Sequence, residues 1–119
     1  LQTIFRLNLD IKIIIINNNS LGMIRQFQET YFESRYIGTK WGYSAPDFCN
    51  IAVAYKIDSK KISHDTGVYD AVKWLFKDEK PRLLEVMVSS NLNVYPKIAF
   101  GRTMDEMEPE FSSNQMEST

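Results

Sequence analysis

Leu1, Ile4, Phe5 and Leu7 are spaced along one face of an amphipathic helix, with Gln2, Arg6 and Asn8 on the other. No capping residue precedes them, so a helix whose start lies upstream, and hence a longer parent chain, is expected. After Asn8-Leu9-Asp10, every residue of Ile11–Ile16 except Lys12 is isoleucine. An unbroken β-branched run of this kind predicts a strand covered on both faces, a central strand of a parallel sheet. Asn17-Asn18-Asn19-Ser20 ends it with residues that tolerate unusual backbone angles and hydrogen-bond to nearby backbone. A helix is predicted to follow at once: Leu21, Ile24, Phe27, Gln28 and Tyr31 lie along one side, and Arg25 can pair with Glu29 at i,i+4.

Between Glu33 and Ser44 the pattern has no clean period. It predicts a loop holding Gly38 and Gly42, anchored by Tyr36, Trp41 and Tyr43. Pro46 and Asp47 then mark the start of a helix running to about Lys56 and burying Phe48, Ile51, Ala52 and Tyr55. A short, weakly patterned strand falls around Lys56–Ile62. Asp65-Thr66 can cap a further helix with Val68, Ala71, Val72, Leu75 and Phe76 on its apolar face, stopped before Pro81. Arg82–Ser89, with Leu83, Leu84, Val86 and Val88, predicts another largely buried strand. Strand, helix, strand, helix, strand implies right-handed crossovers and an α/β fold, a parallel sheet with flanking helices. From Ser90 the pattern dissolves. Residues 1–108 are expected to form the folded part and 109–119 a mobile tail, with no internal repeat and no interdomain linker.

Composition narrows the class of partner. The 119 residues suit one domain, and 44% hydrophobic with 24% charged residues is ordinary for a globular protein. A net charge of −1 and a pI near 5.8 provide no field for nucleic acid or an anionic membrane. Apolar runs such as Ile13–Ile16 fall far short of the roughly 20 residues of a membrane span. The single cysteine, Cys49, excludes an internal disulfide and fits a cytoplasmic setting; mid-helix beside Phe48 and Ile51, it reads as a small buried hydrophobe. His64, the only histidine, reads as a surface loop residue, Glu29 and Glu33 as solvated acids, and Trp74 as helix packing.

The candidate chemistry lies at the junction from Ile11 to Ile24. In open α/β sheets, ligands sit at the carboxyl ends of strands, where a helix N-terminus offers free N–H groups to an anion. Asparagine side-chain oxygens and backbone carbonyls are hard donors that suit Mg²⁺ when the ion also takes phosphate oxygens. By spacing alone, a structural turn is the favoured account of Asn17–Ser20, and a non-catalytic flavodoxin-like binding or assembly module stands beside a metal-diphosphate site.

Residues 13–28, Ile-Ile-Ile-Ile-Asn-Asn-Asn-Ser-Leu-Gly-Met-Ile-Arg-Gln-Phe-Gln, resemble the second half of the thiamin-diphosphate motif of the acetolactate synthase large subunit. The likeness extends to Leu1–Leu9, to the Pro-Asp-Phe step of Ser44–Ala54, to Pro81–Val88 and to Val94–Pro109 with its Tyr95-Pro96 and Asp105-Glu106-Met107. It implies the carboxyl-terminal part of a thiamin-diphosphate-binding domain. Asn18 matches a side-chain ligand of Mg²⁺, and Ser20 a main-chain carbonyl ligand. Leu21, Gly22 and Met23 match positions that pack around the cofactor. Phe27 falls where these synthases commonly carry a Trp shaping the pocket for the second keto acid, a departure that leaves the acceptor open. The aromatics Tyr31, Phe32, Tyr36, Trp41 and Tyr43 match a region that orders with ligand, which implies a lid over the site, and ordinary packing stands beside that reading.

The same resemblance implies a Gly-Asp-Gly upstream of Leu1, supplying the other protein ligand of the metal, and an activating Glu on a separate pyrimidine-binding domain. The implied parent is a homodimer or homotetramer that decarboxylates a 2-keto acid and ligates the product to a second carbonyl compound. The 119-residue piece alone is expected to be inactive.

Overall fold

The computed structural model describes residues 1–108; the expected tail, 109–119, lies outside the described residues. Helix α1 (Gln2–Leu7) leads to strand β1 (Lys12–Asn17) and helix α2 (Gly22–Tyr31). A long loop precedes α3 (Phe48–Ala54) and β2 (Asp58–Ile62); a 3₁₀ turn (Asp65–Gly67) then runs into α4 (Val68–Leu75) and β3 (Arg82–Met87). The three strands are parallel in the order β1-β3-β2. A two-stranded antiparallel ribbon, β4 (Lys97–Ile98) with β5 (Met107–Glu108), lies in the region where the sequence pattern faded.

The isoleucine run forms an edge strand, not the central one. Ile14 and Ile16 are 50% and 63% exposed, whereas Arg82, Leu83, Leu84 and Glu85 of β3 are all buried between two neighbours. The sequence pointed elsewhere because two charges interrupt β3. Both are neutralised inside the fold. Arg82 pairs with Asp78 at 2.8 Å, donates to the Trp74 carbonyl and lies over the Trp74 ring; Glu85 is held by Lys61 and Asn17. Lys12, the one polar residue of the run, ties the start of β1 to the 77–80 turn by donating to the carbonyls of Asp78 and Lys80.

Alternation along β3 sends Leu83 and Leu84 to opposite faces and so creates two small cores. Leu83 packs with Ala52 of α3 and with Ile57, joined by Ile4, Ile13, Ile15, Phe48 and Cys49. Leu84 packs with Ala71 and Leu75 of α4, joined by Ile62, Trp74 and Val86. Burying each leucine contributes about 2–3 kcal/mol. Asp47 caps α3 by accepting from the Asn50 N–H at 2.8 Å, as the Pro-Asp step predicts. Tyr55 is 36% exposed, so the buried face of α3 is shorter than the periodicity suggests. On α4, likewise, Val68, Val72 and Phe76 remain exposed while Ala71 and Leu75 are buried.

Helix α2 departs furthest from its pattern. Its buried residues are Arg25 and Gln26, whereas Ile24, Phe27 and Tyr31 on the apolar side are exposed. The polar stripe faces inward because the chain after β3 crosses it. Arg25 donates to the Leu92 carbonyl and to Asn93 Oδ1, and the Gln26 amide makes a paired contact with the Val94 backbone, at 3.1 and 3.0 Å. The predicted Arg25–Glu29 pair forms at 3.2 Å.

Candidate functional site

Strand β1 ends at Asn17, and the next four residues turn the chain into α2. Each asparagine of this turn has a defined task. Asn17 Oδ1 accepts from the Asn19 N–H at 2.8 Å and Asn18 Oδ1 from the Ser20 N–H at 3.1 Å, while Asn19 takes a positive φ of 48°. Asparagine tolerates that left-handed conformation better than most residues. Ser20 is 6% exposed, and its hydroxyl donates to the Thr39 carbonyl at 2.9 Å; the Leu21 N–H bonds the same carbonyl at 3.2 Å.

Thr39 was not legible as a site-positioning residue. It is 2% exposed and donates from Oγ1 to Gln28 Oε1 at 2.6 Å, so the 33–44 loop is anchored by a threonine. Trp41, expected to be an anchor, is 64% exposed. A buried threonine among aromatics leaves no periodic signal.

Groups that could hold a divalent ion and an anion share this turn. Asn18 Oδ1 uses one lone pair on the Ser20 N–H and keeps the other, and the Ser20 carbonyl accepts no backbone hydrogen bond among the described residues. Helix α2 begins with no side-chain cap among the described residues, so its first N–H groups could take an anion. Gly22 is the tightest point: a Cβ built there would lie 2.6 Å from Asn18 Nδ2, so the asparagine side chain seats only against a glycine. Asn18, Ser20, Leu21, Gly22 and Met23 all line one open groove, completed by Ile24 and by Leu92 and Val94 from the segment after β3. The last two were missed because they follow β3 in sequence and reach the groove only through the Arg25 and Gln26 contacts.

Phe27 does not line this groove. It stands in an adjoining cavity with Gln26, Thr30, Tyr31, Ile98 and Phe100, and Met23 lines both. Its ring lies 4.7 Å from that of Tyr31 and 6.1 Å, edge-on, from that of Phe100.

Among the described residues, Asp47, Cys49 and Glu85 form the one grouping of metal-ligating side chains. Its charge is already answered: Lys61 Nζ lies 2.9 Å from Glu85 Oε2, and Asp47 caps α3. Burial pushes the Cys49 thiol up from its ordinary value, which favours the inert protonated form. The hydrogen bond to Glu85 pushes Lys61 up in turn, holding it charged. His64 is exposed at the entry to the 3₁₀ turn, as expected for a loop residue. No helix among the described residues is long and apolar enough to cross a membrane.

Comparison with known proteins places the chain in a family. The family model described as thiamine pyrophosphate enzyme, C-terminal TPP binding domain, matches residues 1–86. The chain is 33% identical over 107 residues to the acetolactate synthase large subunit of Cyanidium caldarium, covering 90% of this chain and 18% of that protein. It is 39% identical over 97 residues to the acetolactate synthase large subunit of Lactococcus lactis subsp. lactis (strain IL1403), covering 82% and 16%. With the acetolactate synthase isozyme 2 large subunit of Escherichia coli (strain K12) it shares 34% over 107 residues, covering 90% and 19%. The chain thus spans less than a fifth of the length of these relatives. With a match over residues 1–86, it belongs to the thiamine pyrophosphate enzymes, within their C-terminal TPP binding domain.

Proposed function

We propose that this chain supplies the diphosphate- and Mg²⁺-binding part of an acetolactate synthase-like enzyme, which decarboxylates a 2-keto acid and ligates the product to a second carbonyl compound. The observation that carries this reading is the seat of Asn18 against Gly22, with the Ser20 carbonyl and the free N–H groups of α2 on the same groove. Asn18 Oδ1 and the Ser20 carbonyl would hold Mg²⁺, and the start of α2 would take the diphosphate. Bound thiamin diphosphate supplies the nucleophilic carbon and the electron sink for decarboxylation and ligation.

The protein's share is binding. Leu21, Met23, Ile24, Leu92 and Val94 give the groove exposed apolar walls for a bound cofactor to cover. The cavity around Phe27, reached across Met23, is the proposed place of the acceptor substrate. Relatives several times longer support a division of labour in which other segments complete the metal site and hold the cofactor's ring. A homodimer or homotetramer in the cytoplasm is part of the same proposal.

Calorimetry on the full-length protein carrying this chain tests the proposal. Thiamin diphosphate is expected to bind only with Mg²⁺ present; binding that ignores the metal, or no binding, overturns it. The isolated 119-residue chain is expected to bind weakly and to be inactive, and a micromolar Kd there would contradict the division of labour.

A further inference from the structure

We infer that Glu85 is a positioning residue for the metal-diphosphate end of the site, acting through Asn17 on the turn that presents Asn18 and Ser20. The inference rests on the function proposed above. Glu85 is 0% exposed in the middle of the central strand. One carboxylate oxygen accepts from Asn17 Nδ2 at 2.7 Å and the other from Lys61 Nζ at 2.9 Å. A carboxylate paired with an ammonium only accepts hydrogen bonds, so it dictates which way the Asn17 amide faces. With Nδ2 drawn to Glu85, Asn17 Oδ1 is left toward the turn, where it takes the Asn19 N–H at 2.8 Å. That bond holds Asn19 at its positive φ, and the next one, from the Ser20 N–H to Asn18 Oδ1, orients the proposed metal ligand.

The relay Lys61–Glu85–Asn17–Asn19 therefore transfers the rigidity of the sheet to the turn. Stability alone does not account for a carboxylate here. Burying the Glu85 carboxylate costs hydration that its pairing with the exposed Lys61 returns only in part, and an apolar side chain on β3 would carry no such cost. Ligands of a metal are held by their outer hydrogen-bond partners, whose loss lowers metal affinity about 10–100-fold.

The test uses the full-length protein with Glu85→Gln, Asn17→Leu and the double variant. Two readouts are taken: amide hydrogen exchange at residues 17–20 without cofactor, and the Kd for thiamin diphosphate with Mg²⁺. Each single variant is expected to speed exchange in the turn and to raise Kd about tenfold or more, and the double variant to be no worse than the singles, because both break one relay. Unchanged exchange and unchanged Kd in a folded variant overturn the inference, as does full additivity. Should Glu85→Gln fail to fold, Asn17→Asp, which keeps an acceptor for the Asn19 N–H but has no donor for Glu85, carries the test, and unchanged exchange with unchanged Kd overturns the inference. Failure of the unaltered protein to bind the cofactor overturns the proposed function instead.

Discussion

At the scale of single residues, the site depends on what Gly22 lacks. Replacing it with Ala places a methyl group 2.6 Å from Asn18 Nδ2, and the flexible amide is what gives way. Gly22→Ala is therefore expected to leave the melting temperature nearly unchanged or slightly raised, since alanine favours the helix by about 1 kcal/mol. The Kd for thiamin diphosphate with Mg²⁺ should rise about tenfold or more. A separate prediction concerns Lys61. Its pKa is raised in the folded protein by Glu85, so the stability it contributes is complete below the ordinary lysine value of about 10.4 and is lost as pH rises through the folded, higher value. The difference in melting temperature between the protein and Lys61→Met should stay constant between about pH 6 and 9 and close above roughly pH 10.4. A gap that closes near neutrality would contradict the pairing.

At the scale of elements, α2 inverts the usual rule that the apolar stripe of a helix faces inward. Arg25 and Gln26 turn inward because they satisfy backbone groups of 92–94 that no strand partner reaches, and so they bring Leu92 and Val94 to the groove. Gln26→Ala removes both bonds to Val94, at a cost of about 1–2 kcal/mol. It should accelerate amide exchange at Val94 while leaving β1 and β3 protected; exchange spread evenly over the sheet would show that α2 is held by other means. Strand β3 shows the complementary case, a centre that reads as interrupted because its charges find partners only after folding.

For the whole molecule, the decisive feature is the face of β1 that nothing among the described residues covers. Helix α4 shields Leu84 and Val86, yet Ile14 and Ile16, on the same face by register, stay open, as do Phe27 and Tyr31 on α2. Apolar surface of this kind marks an interaction site or an association hazard. The 119-residue chain by itself should bind a dye such as ANS and associate as its concentration rises. Ile14→Ser with Ile16→Ser should reduce dye binding by more than half, and unchanged binding would place the exposed apolar surface elsewhere.

Local chemistry determined much of this protein. The helix entered at Pro46-Asp47, the parallel strands and the Asn18–Met23 groove follow from β-branched runs, capping residues and turn-forming asparagines, which act between near neighbours in sequence. Fold alone decided the rest. Which strand is central, which face of α2 is buried, and the roles of Thr39, Leu92, Val94 and Glu85 depend on partners 19 to 68 residues away, as in Ser20 with Thr39 and Asn17 with Glu85. A charge or a threonine has no fixed address until its partner is in place. The sequence therefore points to the turn residues Asn18 to Met23, and the tertiary structure decides which distant residues hold that turn in place.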